Sequence, residues 1–258
     1  MICYIVTFFA CIIGTICGMG GGIIIKPALD AAGVMSVSTA TFLSGCTVIA
    51  MTCWSVGKTL LKREAVIELK YTAFLALGAA AGGLAGKQLY IMAASLFADQ
   101  NRAGGIQACL LFAATFATLI YTVNKDKINS KKVDSPAAAM IIGLFLGLLG
   151  AFLGIGGGPF NVAVLYYFFS MPAKKAAQNS LFIVLFSQLA STLKTVIFDG
   201  IPEFDLFILM GMILLGVLGS EAGRKINQKI DNRQATWCLE GAMILIMAIN
   251  VYNMLRFL

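Results

Sequence analysis

Residues 14–22 read GTICGMGGG, and the same pattern returns as GAFLGIGGG at residues 150–158, 136 positions later. The same offset pairs Lys58 with Lys194, so the register holds over more than forty residues. A chance cluster of glycines would not keep register over that distance. The chain therefore consists of two homologous halves, each with a glycine-rich interruption inside an apolar stretch, a pattern typical of secondary transporters.

The composition is that of a polytopic membrane protein, with 59% hydrophobic residues, 12% charged residues and a mean hydropathy of +0.89. Six apolar stretches are close to the roughly 20 residues that cross about 30 Å of hydrocarbon. Two longer stretches, of 32 and 33 residues, contain the glycine clusters and are predicted to be split helices or re-entrant helical hairpins. In chain order the eight stretches lie near 2–33, 35–56, 71–94, 104–123, 137–169, 177–197, 203–220 and 236–255.

The positive charges favour the hairpin alternative. Suppose that each long stretch leaves the membrane on the face from which it entered. Then 14 of the 19 Lys and Arg residues lie on the side of the basic linker, whereas eight single crossings would divide them ten to nine. Because cytoplasmic loops collect Lys and Arg, the linker is predicted to be cytoplasmic and both termini outside. We therefore predict an all-α fold with an inverted repeat, each half having one broken helix and three transmembrane helices: first repeat 1–123, linker 124–136, second repeat 137–258.

The two glycine clusters are the predicted substrate site. Glycines let backbone N–H groups approach a ligand, and the start of the helix that follows each cluster favours an anion. Pro159, directly after the second cluster, suits the first turn of such a helix. The alternative is that the glycines only allow close packing of membrane helices. The candidate glycines are Gly18, Gly20, Gly21 and Gly22 in the first half, and Gly154, Gly156, Gly157 and Gly158 in the second.

Polar residues near the clusters are further candidates, because hydroxyls and amides can donate to an oxyanion. The alternative is that they join helices to one another. Cys17 is included only because it adjoins the first cluster. Lys26 and Glu240 are candidates for ion coupling or substrate charge balance. The predicted substrate-binding set is completed by Cys17, Thr41, Ser44, Asn161, Gln178, Asn179 and Ser180.

Other classes of site are not supported by the sequence. The chain has no His, and its seven Cys residues include no CxxC pair, so no metal site and no cofactor is predicted. No catalytic residues are predicted, since the apolar stretches contain no paired acidic motif. The basic residues are scattered over short loops, which is not the pattern of nucleic-acid binding.

Several of these features resemble the TauE/SafE family of sulfite exporters over nearly the whole chain. They are the two glycine-rich breaks, Pro27-Ala28-Leu29 after the first, and the helices around Ala40 and Ala176 with their polar residues. The resemblance implies a multi-pass permease of a bacterial or archaeal plasma (inner) membrane. Its substrates would be small sulfur-containing or carboxylate anions, such as sulfite, thiosulfate or sulfoacetate. One departure is Ala163, which stands where the first half has Pro27, so the two hairpins need not be equivalent.

The predicted function is secondary transport of a small anion by alternating access, with one half rocking against the other around a site between the glycine breaks. The expected partners are the anion, membrane lipid and a coupling ion, either a proton or sodium. The alternative is an ion channel with re-entrant helices, which usually obtains its symmetry from several identical subunits. The internal duplication favours the transporter, because one chain already supplies that symmetry.

Overall fold

The computed structural model describes residues 1–62, 67–95, 100–155 and 157–257, and all regular structure within them is helical. A 3₁₀ turn at Lys125–Lys127 follows the fifth α-helix, and a π-helical segment at Thr195–Asp199 extends the eighth. The α-helices, numbered in chain order, are α1 (Ile2–Cys17), α2 (Gly22–Ala32), α3 (Val37–Leu61), α4 (Leu69–Ala94), α5 (Gln100–Asn124), α6 (Pro136–Phe152), α7 (Pro159–Phe169), α8 (Ala173–Lys194), α9 (Leu206–Lys229) and α10 (Asn232–Phe257).

All six apolar stretches that were predicted as simple spans form long helices, of 22 to 26 residues. Among the described residues, α3, α5, α8, α9 and α10 are long and apolar enough to cross a membrane. Helix α4 is equally long and contains four glycines and two lysines, Lys70 and Lys87. The chain is therefore an all-helical, multi-pass membrane protein.

The second long stretch is a helical hairpin. Helix α6 has 17 residues and α7 has 11, and the second glycine cluster lies between them. The Lys131 N–H donates to the Tyr167 carbonyl at 2.7 Å, and the Val133 N–H donates to the Phe168 carbonyl at 2.9 Å. These bonds bring the segment that enters α6 next to the end of α7. The hairpin thus enters and leaves on one face, here called the linker face because it holds residues 125–135.

The first long stretch, α1 and α2, is a hairpin that opens on the opposite face. Lys174 lies at the start of α8, just after α7 ends on the linker face. Its Nζ donates to the Ile230 carbonyl at 3.0 Å, so the short turn between α9 and α10 also lies on the linker face. The start of α9 and the end of α10 therefore lie on the other face, here called the terminal face. The Tyr4 hydroxyl reaches the Phe207 carbonyl at the start of α9, and Arg256 near the end of α10 donates to the Asp30 carbonyl. Both ends of the hairpin therefore lie on the terminal face.

The two halves are interlocked through glycine-lined contacts. A Cβ atom added at Gly78 of α4 would overlap the Met140 carbonyl of α6, and one added at Gly219 of α9 would lie 2.5 Å from the Phe8 carbonyl of α1. Small residues allow helix backbones to approach this closely. Because α4 corresponds to α9 and α6 to α1 in the repeat, the same packing occurs twice with the halves exchanged. This arrangement, and the opposite entry faces of the hairpins, are compatible with an inverted repeat.

Candidate substrate site at the two glycine breaks

The tips of the two hairpins meet inside the protein. A Cβ atom added at Gly22 would lie 3.4 Å from the Ile155 carbonyl oxygen, and one added at Gly158 would lie 3.1 Å from Ile23 Cδ1. All four residues are buried. The glycine breaks of opposite halves, entering from opposite faces, therefore form one junction.

The two breaks turn in the same way. Gly18 has φ of 74° and Gly154, at the equivalent position, has φ of 71°, a left-handed conformation that favours glycine. The hydrogen bond that closes each turn is also repeated: Met19 N–H donates to the Gly14 carbonyl and Ile155 N–H to the Gly150 carbonyl, both at 3.0 Å. The sequence repeat is thus a repeat of backbone geometry.

Two valines at equivalent positions of α3 and α8 pack against the breaks. A Cβ atom at Gly20 would lie 3.6 Å from Val48 Cγ1 and 3.2 Å from Val184 Cγ1. One at Gly157 would overlap Val184 Cγ2. Val184 therefore contacts the breaks of both halves, and side chains larger than glycine would displace it.

Each break ends where a short helix begins. Helix α2 starts at Gly22, and α7 starts at Pro159, which occupies its first turn as predicted. The first N–H groups of a helix have no partner within the helix, and the helix dipole places partial positive charge there. The Gly21 N–H contacts only a weak acceptor, Met51 Sδ at 3.3 Å. Two helix N-termini thus lie at the junction.

Two of the predicted polar residues lie at the junction, and a third, Ser180, lies on α8 one helical turn before Val184. Ser44 Oγ lies 3.2 Å from the position of a Cβ atom on Gly22, and Asn161 Nδ2 lies 2.8 Å from that on Gly157. Asn161 Oδ1 and Ser180 Oγ are buried without a hydrogen-bond partner among the described residues. Buried polar atoms are normally hydrogen-bonded, so the Asn161 oxygen calls for a donor and the Ser180 hydroxyl for a donor or an acceptor, and the described residues supply neither.

Two other predicted residues are engaged by neighbouring helices. Asn179 Oδ1 accepts hydrogen bonds from Thr72 Oγ1 at 2.6 Å and from the Glu68 N–H at 2.9 Å, and so ties α8 to the start of α4. Gln178 Oε1 accepts from Thr59 Oγ1 of α3 at 3.3 Å. The oxygens of both side chains are therefore engaged in contacts between helices.

The remaining predicted residues lie at the margins of the junction. Cys17 is buried at the end of α1, next to the first break. The Thr41 hydroxyl donates to the Val37 carbonyl, and its side chain lines a cavity of about 20 Å³ together with Lys87 and Gly154. Gly156 lies outside the described residues.

A buried ionic cluster beside the second break was only partly anticipated. Lys26 Nζ donates to Asp30 Oδ2 at 3.1 Å and to Gln107 Oε1 at 2.8 Å, and Gln107 Nε2 donates to the Phe152 carbonyl at 2.7 Å. Lys26 Cε lies 3.0 Å from the position of a Cβ atom on Gly154. A cation of the first half thus lies against the break of the second. The sequence signal for the Lys26–Asp30 pair is a Lys four residues before an Asp in an apolar helix, because side chains at that spacing are neighbours on one helix face.

A cavity of about 760 Å³ opens on the linker face between the ends of α5 and α7 and the starts of α8 and α10. Its lining includes Lys125, which lies 4.6 Å from the centre of the Tyr166 ring and donates to Thr236 at 2.8 Å. Glu240, a sequence candidate for ion coupling, also lines this cavity. Tyr166, a buried residue of α7, also lines it. The cavity is therefore bounded by aromatic, cationic and acidic side chains on the linker face.

Comparison with known proteins gives one family. The family model described as sulfite exporter TauE/SafE matches residues 3–251, nearly the whole chain. Neither a curated protein nor a solved structure matches the chain significantly.

Proposed function

The chain belongs to the TauE/SafE sulfite exporter family, and we propose that it is a secondary transporter that binds a small anion between its two glycine breaks. The proposed substrates are sulfite, thiosulfate, sulfoacetate and related carboxylates. The observation that carries the proposal is the junction itself, where two helix N-termini meet beside the Ser44 hydroxyl and the Asn161 amide nitrogen.

The chemistry of the junction suits an oxyanion. An anion leaving water must be compensated by donors, because burying an unpaired charge is very costly. Helix N–H groups can donate without moving, and their dipoles favour negative charge. Ser44, Ser180 and Asn161 add hydroxyl and amide donors from both halves. Lys26, paired with Asp30, places an ammonium group at the edge of the same region.

The cavity on the linker face is the proposed access route from that side. Lys125 and Arg233 are in its lining and attract anions. The junction itself is packed against Val48 and Val184. Closure at the junction with a cavity on one side is the arrangement expected for alternating access, and it is less suited to a channel, which needs a continuous pore.

The test is anion transport by the purified protein in proteoliposomes, with labelled sulfite, thiosulfate, sulfoacetate and acetate compared in counterflow. Ser180→Ala removes a buried, unpartnered hydroxyl one helical turn before Val184, which contacts both breaks, and Ser95→Ala, at an exposed position, is the matched control. A hydrogen bond to a charged group contributes about 1.5–3 kcal/mol, so we expect Ser180→Ala to raise KM by roughly 10- to 100-fold. Absence of saturable flux of any of these anions would refute the proposed substrate class.

A further inference from the structure

We propose that Asp30 is the proton-carrying carboxylate of the transport cycle, and that its protonation releases Lys26 to pair with the anion. This inference deepens the proposed function and rests on it.

The first observation is a pair of buried oxygens without hydrogen-bond donors. Asp30 Oδ1 and Asn253 Oδ1 are both buried and have no partner among the described residues. Both side chains line one cavity of about 10 Å³ between α2, α5 and α10. Asn253 Nδ2 donates to the Pro27 carbonyl at 3.0 Å, which fixes the amide so that its oxygen remains the unused atom.

A proton on Asp30 would supply the missing donor. The carboxylic acid O–H can donate toward Asn253 Oδ1, directly or through a single water, for which the cavity is about large enough. A sodium ion fits less well, because the Lys26 ammonium group lies 3.1 Å from the other carboxylate oxygen and would repel it. The structure thus favours a proton at this position.

The second observation is the position of Lys26 between Asp30 and the second glycine break. Its side chain is 7% exposed and that of Asp30 6% exposed, so the two charges neutralise each other away from water. An anion at the junction competes with Asp30 for the Lys26 ammonium group. Once Lys26 turns toward the anion, a buried Asp30 carboxylate without that partner favours its protonated form.

Other charged and titratable groups face this pair from each side. Arg256 of α10 donates to the Asp30 carbonyl, and Tyr90 of α4 interacts electrostatically with Asp30. Lys87, also of α4, interacts electrostatically with Lys26. From α5 the pair meets the neutral amide of Gln107. The groups that surround the pair are thus cationic or neutral, and we assign proton uptake to the arrival of the anion.

The proton balance follows directly. One proton from the bulk solvent joins the Asp30 carboxylate as one anion joins the Lys26 ammonium group, which keeps its own proton throughout. When the anion leaves, Lys26 returns to Asp30 and the proton departs. Because binding of each ligand favours binding of the other, proton and anion move together, one for one.

The repeat argues against a purely structural role for this ion pair. The positions that correspond to Lys26 and Asp30 in the second half are Val162 and Tyr166. The second hairpin nevertheless has a second helix of the same length, 11 residues, and a left-handed glycine at the equivalent position of its break. The hairpin fold therefore does not require the pair, and its presence in only one half indicates a function that the halves do not share.

The experiment compares sulfite counterflow with sulfite-driven proton flux in proteoliposomes containing a trapped pH dye, with protein-free vesicles as the blank. Counterflow exchanges anion for anion and needs no net proton movement. We expect Asp30→Asn to lose proton flux by at least tenfold and to retain saturable counterflow, with a KM no higher than that of wild type because no carboxylate competes for Lys26. Asp205→Asn, which replaces an exposed carboxylate at the start of α9, should retain both.

A second measurement does not depend on a variant. Wild-type protein in weakly buffered detergent should take up one proton for each sulfite bound, after correction for sulfite added to buffer alone. Sulfite-driven proton flux in a folded Asp30→Asn variant, loss of its counterflow, or uptake of no proton by wild type would each overturn the inference. Absence of sulfite counterflow in wild type would instead refute sulfite transport itself, and the inference with it.

Discussion

Gly22→Ala is the change that best separates substrate binding from helix packing at the junction. Gly22 is the first residue of α2 and has ordinary helical geometry, so alanine introduces no backbone strain. The new Cβ atom would lie 3.0 Å from Val48 Cγ2, 3.2 Å from Ser44 Oγ and 3.4 Å from the Ile155 carbonyl oxygen. It would therefore occupy the space where the two breaks meet.

The expected magnitude follows from these distances. Carbon atoms in good contact lie about 3.5–4.0 Å apart, so Val48 must move by roughly 0.5–1 Å. Overpacking of this kind costs about 1–3 kcal/mol, and the higher helix propensity of alanine offsets up to about 1 kcal/mol of it. We expect the free energy of unfolding to fall by only about 0–2 kcal/mol. Transport should fall by at least tenfold, because Ser44 and the facing break are displaced together.

The assay measures sulfite counterflow and melting temperature for Gly22→Ala, Val48→Ala and the double variant. Gly57→Ala in α3 is the matched control, since a Cβ atom there meets no atom within 4 Å. Val48→Ala removes the crowded methyl groups, so the double variant should regain at least part of the lost transport, with a coupling of about 0.5–3 kcal/mol. Wild-type KM and rate for Gly22→Ala, or additive effects in the double variant, would refute the reasoning.

Three further predictions follow from the described contacts. Gly18→Ala should prevent accumulation of folded protein, judged by size-exclusion chromatography, because its left-handed backbone packs directly against α8, whereas Gly57→Ala should accumulate normally. Glu221→Gln should lower the melting temperature, because Arg224, nearly buried, loses a carboxylate that accepts two of its hydrogen bonds. Asn179→Ala should lower the melting temperature more than it raises KM, because its side chain joins α8 to α4; a normal melting temperature with a raised KM would contradict this.

The repeat in the sequence predicted most of the fold. Glycine spacing located both breaks, and the distribution of Lys and Arg distinguished hairpins from simple crossings because insertion places positive charge on one face. The prediction of three long helices after each break is confirmed. The crossed pairing of α4 with α6 and of α1 with α9 was not predicted, because a repeat within one chain does not show which copy contacts which.

The candidate site was predicted in part. The sequence predicted that the glycine breaks and nearby hydroxyls and amides would form it, and the structure brings Gly22, Ser44 and the second break together. The contacts of Lys26 with Asp30 and Gln107 were not predicted. The contact with Asp30 has a local sequence signature, the four-residue spacing. The contact with Gln107 has none, because Gln107 is 81 positions away in α5.

The crossed pairing of α4 with α6 and of α1 with α9 determines which helices can move relative to one another during alternating access. Rocking one sequence half against the other would separate α4 from α6, yet a Cβ atom at Gly147 would overlap the Ala79 carbonyl, so these backbones are in direct contact. Separating surfaces packed this closely forfeits most of their dispersion attraction. The contacts of Gly22 with Val48 and of Gly20 with Val184 are made instead between a glycine and a side chain. Since such contacts can change by rotamer shifts, we expect each hairpin to move with its partner span from the other half, and the junction to open where the breaks meet α3 and α8.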